Sequence, residues 1–258
     1  MTDYGLVSII TPAYNSAKYI AETLDSVISQ TYPNWEMLIT DDCSTDNTRD
    51  IIRQYAEKDP RIKLICLEKN SGAGVARNTS IAASSGRFIA MLDSDDIWLP
   101  NKLEIQLQRM ISNNVKASYA STYTMTEDGF IDGIYVAFKF QDYKNTIKGD
   151  RMGSNTFMYD TQGIGKIYMP LIRKRQDWAW KINVMKKVNY AIGLVEPLAL
   201  YRKRQNSISK NKKSLIKFNI LVYKEVLNMT YAKAFLKFIF QNIPNILFKK
   251  FRRKIINI

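Results

Sequence analysis

Phe88-Ile89-Ala90-Met91-Leu92-Asp93-Ser94-Asp95-Asp96-Ile97-Trp98-Leu99-Pro100 is the stretch that decides the fold of this chain. Its first five residues make an apolar run of the length of a buried strand, and three carboxylates follow within four positions. Like charges packed this closely repel one another and resist desolvation, so a folded chain gathers them where a cation or a ligand's donors compensate. Carboxylates with no histidine or thiolate beside them suit a hard, oxygen-seeking ion, Mg2+ or Mn2+. Such ions commonly share their coordination with phosphate oxygens.

Upstream, the same pattern repeats. Leu6 to Thr11 reads as a strand stopped by Pro12, and the turn Ala13-Tyr14-Asn15-Ser16 leads into a helix ending near Gln30. Trp35 to Thr40 is a second strand, and it too ends in acids, Asp41-Asp42-Cys43-Ser44-Thr45-Asp46. A helix from Thr48 to Lys58, a strand from Ile62 to Leu67 and a small-residue helix from Val75 to Ser84 complete the run. Four alternations of strand and helix with short connections predict right-handed βαβ units on a mostly parallel sheet flanked by helices. In such sheets the ligand lies beyond the carboxyl ends of the strands. The clusters Thr11 to Asn15, Asp41 to Asp46 and Asp93 to Asp96 therefore fall in one crevice.

Downstream, a helix is expected from Pro100 to Asn113, then strands over 117–125 and 133–140 joined by a turn. Residues 141–166 are polar and without periodicity, as an acceptor-facing loop would be. Arg173-Lys174-Arg175-Gln176-Asp177-Trp178 opens a helix reaching Lys187, and Ile192 to Tyr201 gives a last strand.

The 258-residue chain contains no histidine, which removes histidine triads, histidine metal sites and an imidazole base. Acid–base chemistry falls to carboxylates. Cys43 and Cys66 match no metal spacing or disulfide framework. The N-terminus lacks a signal-peptide pattern and no apolar run is long enough to span a bilayer, so the expected location is cytoplasmic, peripheral on the inner face of the cell membrane. Residues 1–200 hold 23 Lys+Arg against 23 Asp+Glu, whereas 201–258 hold 15 against Glu225 alone. The charge sits in the tail. From Lys210 the tail alternates basic and apolar residues, and Pro244 is expected to divide it into two basic amphipathic helices suited to an anionic membrane surface. No nucleic-acid module surrounds these cations, so nucleic acid is not an expected partner.

Taken together the motifs resemble the inverting family 2 glycosyltransferases of GT-A fold, especially those of bacterial surface-polysaccharide assembly. The similarity runs from about Val7 to Ser209. It is carried by Ser8-Ile9-Ile10-Thr11-Pro12-Ala13-Tyr14-Asn15, by Asp41-Asp42-Cys43-Ser44-Thr45-Asp46, and by Asn70-Ser71-Gly72 with Ala76-Arg77-Asn78. Asp93-Ser94-Asp95-Asp96, Arg175-Gln176-Asp177-Trp178 and Tyr201-Arg202 with Ser207 complete it. The resemblance implies a GT-A catalytic domain over 1–209, with a nucleotide-binding half to residue 100 and an acceptor half beyond it, and the basic tail over 210–258.

It also implies a nucleoside-diphosphate sugar donor, expected to be a UDP-sugar, and a saccharide or lipid-linked acceptor. Thr11, Pro12, Tyr14, Asn15, Asp41, Asp42, Asn70, Gly72, Arg77, Asp93 and Ser94 match the donor-binding positions. Tyr14 offers a face for the base, and Asp42 an acceptor for the uracil N3–H. Asp95, with Asp93, matches the ligands of Mn2+ or Mg2+. Asp96 either approaches the sugar or caps the helix after Pro100, and Arg77 either belongs to the donor site or pairs with one of its acids. Asp177 matches the base that takes the acceptor's proton on the face opposite the leaving group.

Overall fold

The computed structural model describes residues 2–204, 212–245 and 253–254. Its centre is a parallel set of four strands, β1 (Val7–Ala13), β2 (Trp35–Asp41), β3 (Ile62–Cys66) and β4 (Phe88–Met91). They lie in the order β3, β2, β1, β4. Every residue of β2 and β4 is buried, which is why β4 reads as an unbroken apolar run and β2 carries Met37, Leu38 and Ile39 in succession rather than in alternation. Helices α1 (Ile20–Ile28), α2 (Thr48–Lys58) and α3 (Ala73–Ala83) make the crossovers. Ile20, Leu24 and Val27 of α1 sit fully buried against Val7, Ile9, Met37 and Ile39 in one core cluster.

β1 runs through Pro12, with Pro12 opposite Thr40 and Ala13 opposite Asp41. In a parallel ladder alternate residues bond to opposite neighbours. Ala13 accepts from Asp42 on the β2 side, and Ile10 accepts from Leu92 on the β4 side. Pro12 therefore faces β4 where that strand has already ended, so its missing N–H leaves no bond unmade.

Beyond β5 (Ile97–Trp98) and α4 (Lys102–Ser112) the sheet becomes mixed, through β6 (Ala117–Met125), β7 (Ile131–Tyr135) and β8 (Phe140–Asp142). The expected 133–140 strand is thus two pieces. The polar segment 141–166 is also more ordered than its composition suggests. After the short helix α5 (Tyr143–Thr146) and a 3-10 turn (Ser154–Thr156), β9 (Met158–Asp160) inserts between β4 and β6, antiparallel to both. Three residues cannot display a period, so this strand at the middle of the sheet has no readable signature. It ties the first hundred residues to the rest within one sheet. Helix α6 (Gln176–Val188) and the bulged β10 (Tyr190–Arg202) follow.

The tail packs on α6. Helix α7 (Lys212–Val226) and α8 (Tyr231–Lys237), the latter continued by a π turn over 238–242, close a third cluster in which Ile220, Val222, Tyr223, Ala234 and Phe238 meet Trp178 and Ile182. The break between helices falls at 227–230, ahead of Pro244. Most of the second expected helix lies outside the described residues. Arg253–Lys254 are not helical; they pair as strand β11 with Ile134 and Tyr135, covering the edge that β7 would otherwise expose.

Glu36 is a buried bracket at the other end of the sheet. It accepts from Ser8 Oγ (2.7 Å) and Ser85 N (2.6 Å), and pairs with Lys63 (2.7 Å). Burial alone would raise its pKa, but these donors bring it down to about 2. A depressed carboxylate contributes stability above its unfolded pKa and loses it as pH falls through the folded value. Thermal melts should therefore show a contribution of roughly 3 kcal/mol fading between about pH 5 and pH 2. In Glu36→Gln that acid-dependent component should vanish; an unchanged pH profile would refute the bracket.

Candidate active site

The carboxyl ends of β1, β2 and β4 open into one cavity of about 590 Å3. Pro12, Tyr14, Asp42, Arg77, Asp93, Ser94, Asp95 and Asp177 all line it. Tyr14 is half exposed, and Asn15 after it takes a left-handed turn at φ +47°.

The other candidate positions stand behind this wall. Asn15 Oδ1 accepts from Thr45 N at 2.8 Å, knitting the first two strand-end turns together. Asp42 is gripped by the amides of Ser71 (2.6 Å) and Gly72 (2.7 Å), while Asn70 Nδ2 donates to the Asp42 carbonyl at 3.0 Å. Gly72 holds φ +89°, a conformation that suits glycine and aims its amide at that carboxylate. Asp41 and Thr11 are wholly buried and do not reach the cavity. Asp41 pairs with Arg49 and accepts from Ser44 N at 3.0 Å.

Arg77 Nη2 lies 2.5 Å from Asp93, and Arg204 Nε lies 2.6 Å from Asp95. Burial and the neighbouring charge of Asp93 push Asp95 up to about 6, with Arg204 pulling against them. Asp96 lines the cavity as well, but its carboxylate is committed elsewhere. It is buried, accepts from Arg202 N at 3.0 Å, and is held well above the usual carboxylate range by burial and by Asp95 and Asp93. It neither caps α4, whose N-cap is Asn101, nor stands free at the cavity; it fastens the end of β10.

Asp177 joins the same cavity from the first turn of α6. That helix is pinned by two indoles: Trp178 Nε1 donates to the Thr146 carbonyl (2.8 Å) and Trp180 Nε1 to that of Ile167 (2.6 Å). The Gln176 side-chain amide packs directly over Gly74 at the start of α3, bringing α6 and α3 into contact. Arg175 turns into α6 from φ +66°, a strained position for a residue with a side chain, and such strain is concentrated at functional sites. Burial would raise the Asp177 pKa, but Lys181, Ser154, Arg77 and Arg175 together hold it well below the usual carboxylate range. Asp177 is therefore a carboxylate, not an acid, at neutral pH. Sequence reasoning missed Ser154, Asp150, Lys181 and Arg204. Only Lys181 left a trace, its i+4 spacing from Asp177.

A parallel sheet carrying acids at its strand ends, with a helix-borne carboxylate in the same cavity, is the arrangement expected of a GT-A-type transferase. The comparisons agree. The glycosyl transferase family 2 model matches residues 8–165, and the chain belongs to that family. TuaG of Bacillus subtilis (strain 168), named for teichuronic acid biosynthesis, is 44% identical over 230 residues, covering 89% of this chain and 91% of that one. WfgD of Escherichia coli, a UDP-Glc:alpha-D-GlcNAc-diphosphoundecaprenol beta-1,3-glucosyltransferase, is 41% identical over 213 residues, 82% of each chain. Among solved structures, Staphylococcus aureus TarS 1–349 in complex with UDP-GlcNAc superposes with a TM-score of 0.72. It is 24% identical, covering 92% of this chain and 74% of that one, a likeness of fold.

Proposed function

We propose that this enzyme transfers a sugar, with inversion, from a UDP-sugar to a hydroxyl of a lipid-linked saccharide in surface-polysaccharide assembly. The observation that carries the reading is the gathering of Asp177, Asp93, Asp95, Asp42 and Tyr14 from separate elements around one cavity. Tyr14 stacks on the base and Asp42 accepts from it. Asp177 takes the acceptor hydroxyl's proton as that oxygen bonds to the anomeric carbon. The bond from that carbon to the phosphate oxygen breaks with its electron pair, and nucleoside diphosphate departs.

Asp93 and Asp95 suit Mn2+ or Mg2+, being oxygen donors held close enough to repel. Among the described residues no cluster of three or more metal-ligating side chains occurs, so the diphosphate would complete the coordination. A bound ion would supply Lewis-acid stabilisation of the departing diphosphate.

The acceptor's lipid carrier is favoured by the cavity's basic rim, Arg151, Arg173, Lys174 and Arg175, and by the tail. Among the described residues no helix is long and apolar enough to cross a membrane. Tyr231, Phe235, Leu236 and Phe240 are nevertheless exposed beside Lys233 and Lys237, a face suited to lying on an anionic bilayer. One assay tests both parts. Release of UDP from a panel of UDP-sugars, measured with acceptor-doped anionic vesicles, should be stimulated by one donor. It should fall at least tenfold in Lys233→Glu/Lys237→Glu, or on neutral vesicles. No donor consumed with any acceptor would overturn the reading, and indifference to vesicle charge would remove the membrane from it.

A further inference from the structure

Lys181 follows Asp177 by one helical turn, and its side chain is 0% exposed. Its Nζ lies 2.8 Å from Asp150 Oδ1 and donates to the Met152 carbonyl (2.7 Å) and to Ser154 Oγ (3.1 Å). It stands 3.8 Å from Asp177 Oδ2, the oxygen to which Ser154 Oγ donates at 2.9 Å. An ammonium buried this completely is costly, and a methionine would fill the same space without desolvating a charge. The charge must therefore serve its neighbours. Both acids line the cavity, Asp150 at 13% side-chain exposure and Asp177, the more open of the two, at 33%.

We propose that Lys181 is a positioning residue for transfer, fastening the 150–154 segment to α6 and holding the Asp177 carboxylate in place for the acceptor. This rests on Asp177 being the base. Lys181 takes no proton from substrate; it fixes the oxygen that does. Among the described residues the charges acting on Asp177 besides Lys181 include Arg77 from α3 and Arg175 at the helix start, both cationic, and Asp150 pairs with Lys181. Arg77 is shared with Asp93, and Lys181 is the largest of the opposing causes that overcome burial. An opposite charge this close lowers a carboxylate pKa by about 1–3 pH units. Without it, burial takes over.

The test uses the full chain. In Lys181→Met, kcat measured from pH 5 to 9 at saturating substrates should acquire an acidic limb inside that range, which the wild type lacks, with activity recovering at high pH. UDP affinity by calorimetry should stay within about threefold, because the donor wall is untouched. Because Lys181→Met removes a buried counter-charge from Asp150 and can cost the fold, Lys181→Met/Asp150→Asn, which removes both charges, is measured beside it and should show the same limb. A wild-type pH profile in whichever variant folds overturns the proposal. Loss of fold in both assigns Lys181 to stability and overturns it equally. Asp177→Asn separates the two readings: transfer surviving there removes the base, whereas transfer lost there with Lys181→Met unaltered removes only Lys181.

Discussion

Asp177→Asn should lose transfer by about a thousandfold or more, close to 4 kcal/mol in the barrier, while binding UDP within threefold of the wild-type affinity. The amide is nearly isosteric and its oxygen still accepts from Ser154 Oγ, so the pinned helix has no reason to move. What disappears is the lone pair able to take a proton at neutral pH. The depressed pKa sharpens the expectation. Asp177 is ionised well below neutrality, so wild-type kcat should show no acidic limb from this group above pH 5. Its stability contribution follows the same sign, present above the unfolded carboxylate pKa and fading as pH falls below it. Single-turnover assays with the acceptor, alongside calorimetry with UDP, check both halves. Transfer above about a tenth of the wild-type rate would exclude Asp177 as the base.

The sequence made the parallel sheet and the acids at its mouth legible because both signals are local. An apolar run followed by carboxylates is complete within thirteen residues, from Phe88 to Pro100. It could not say which of two adjacent acids enters the cavity. Neighbouring residues leave a strand in opposite directions, and β2 is buried on both faces, so no alternation marks the inward side. Asp42 faces the cavity and Asp41 turns back to Arg49. Past the end of β4 the chain turns, and the second cluster is sorted by partner rather than by parity: Asp93 pairs with Arg77, Asp95 with Arg204, and Asp96 accepts from Arg202 N. The partners that set the charge of these acids were hidden for a different reason. Arg204 lies 109 positions from Asp95, and Asp150 and Ser154 reach Asp177 only because β9 folds the intervening chain into the sheet. Long-range pairing of single polar residues has no period to detect.

Asp95→Ala should abolish the dependence of donor binding on divalent ions. In calorimetry with UDP and Mn2+, affinity should fall at least about 100-fold, roughly 2.7 kcal/mol, to the level the wild type shows in EDTA. The argument begins with what Asp95 does before any donor arrives. Its carboxylate is countered by Arg204, and Asp93 by Arg77, so the acid pair is already neutralised by two guanidinium groups. A divalent ion alone must displace them, whereas a nucleoside diphosphate brings anionic oxygens to which both arginines can turn as the ion enters. Binding of metal and of UDP should therefore be mutually dependent in the wild type, each tightening the other by the same factor. Removing Asp95 leaves Asp93 as a lone carboxylate, too few oxygens for a hard ion, and frees Arg204 to hold phosphate without it. Residual UDP affinity in the variant should accordingly be insensitive to EDTA. Unchanged affinity with a preserved Mn2+ requirement would show that Asp95 holds no metal.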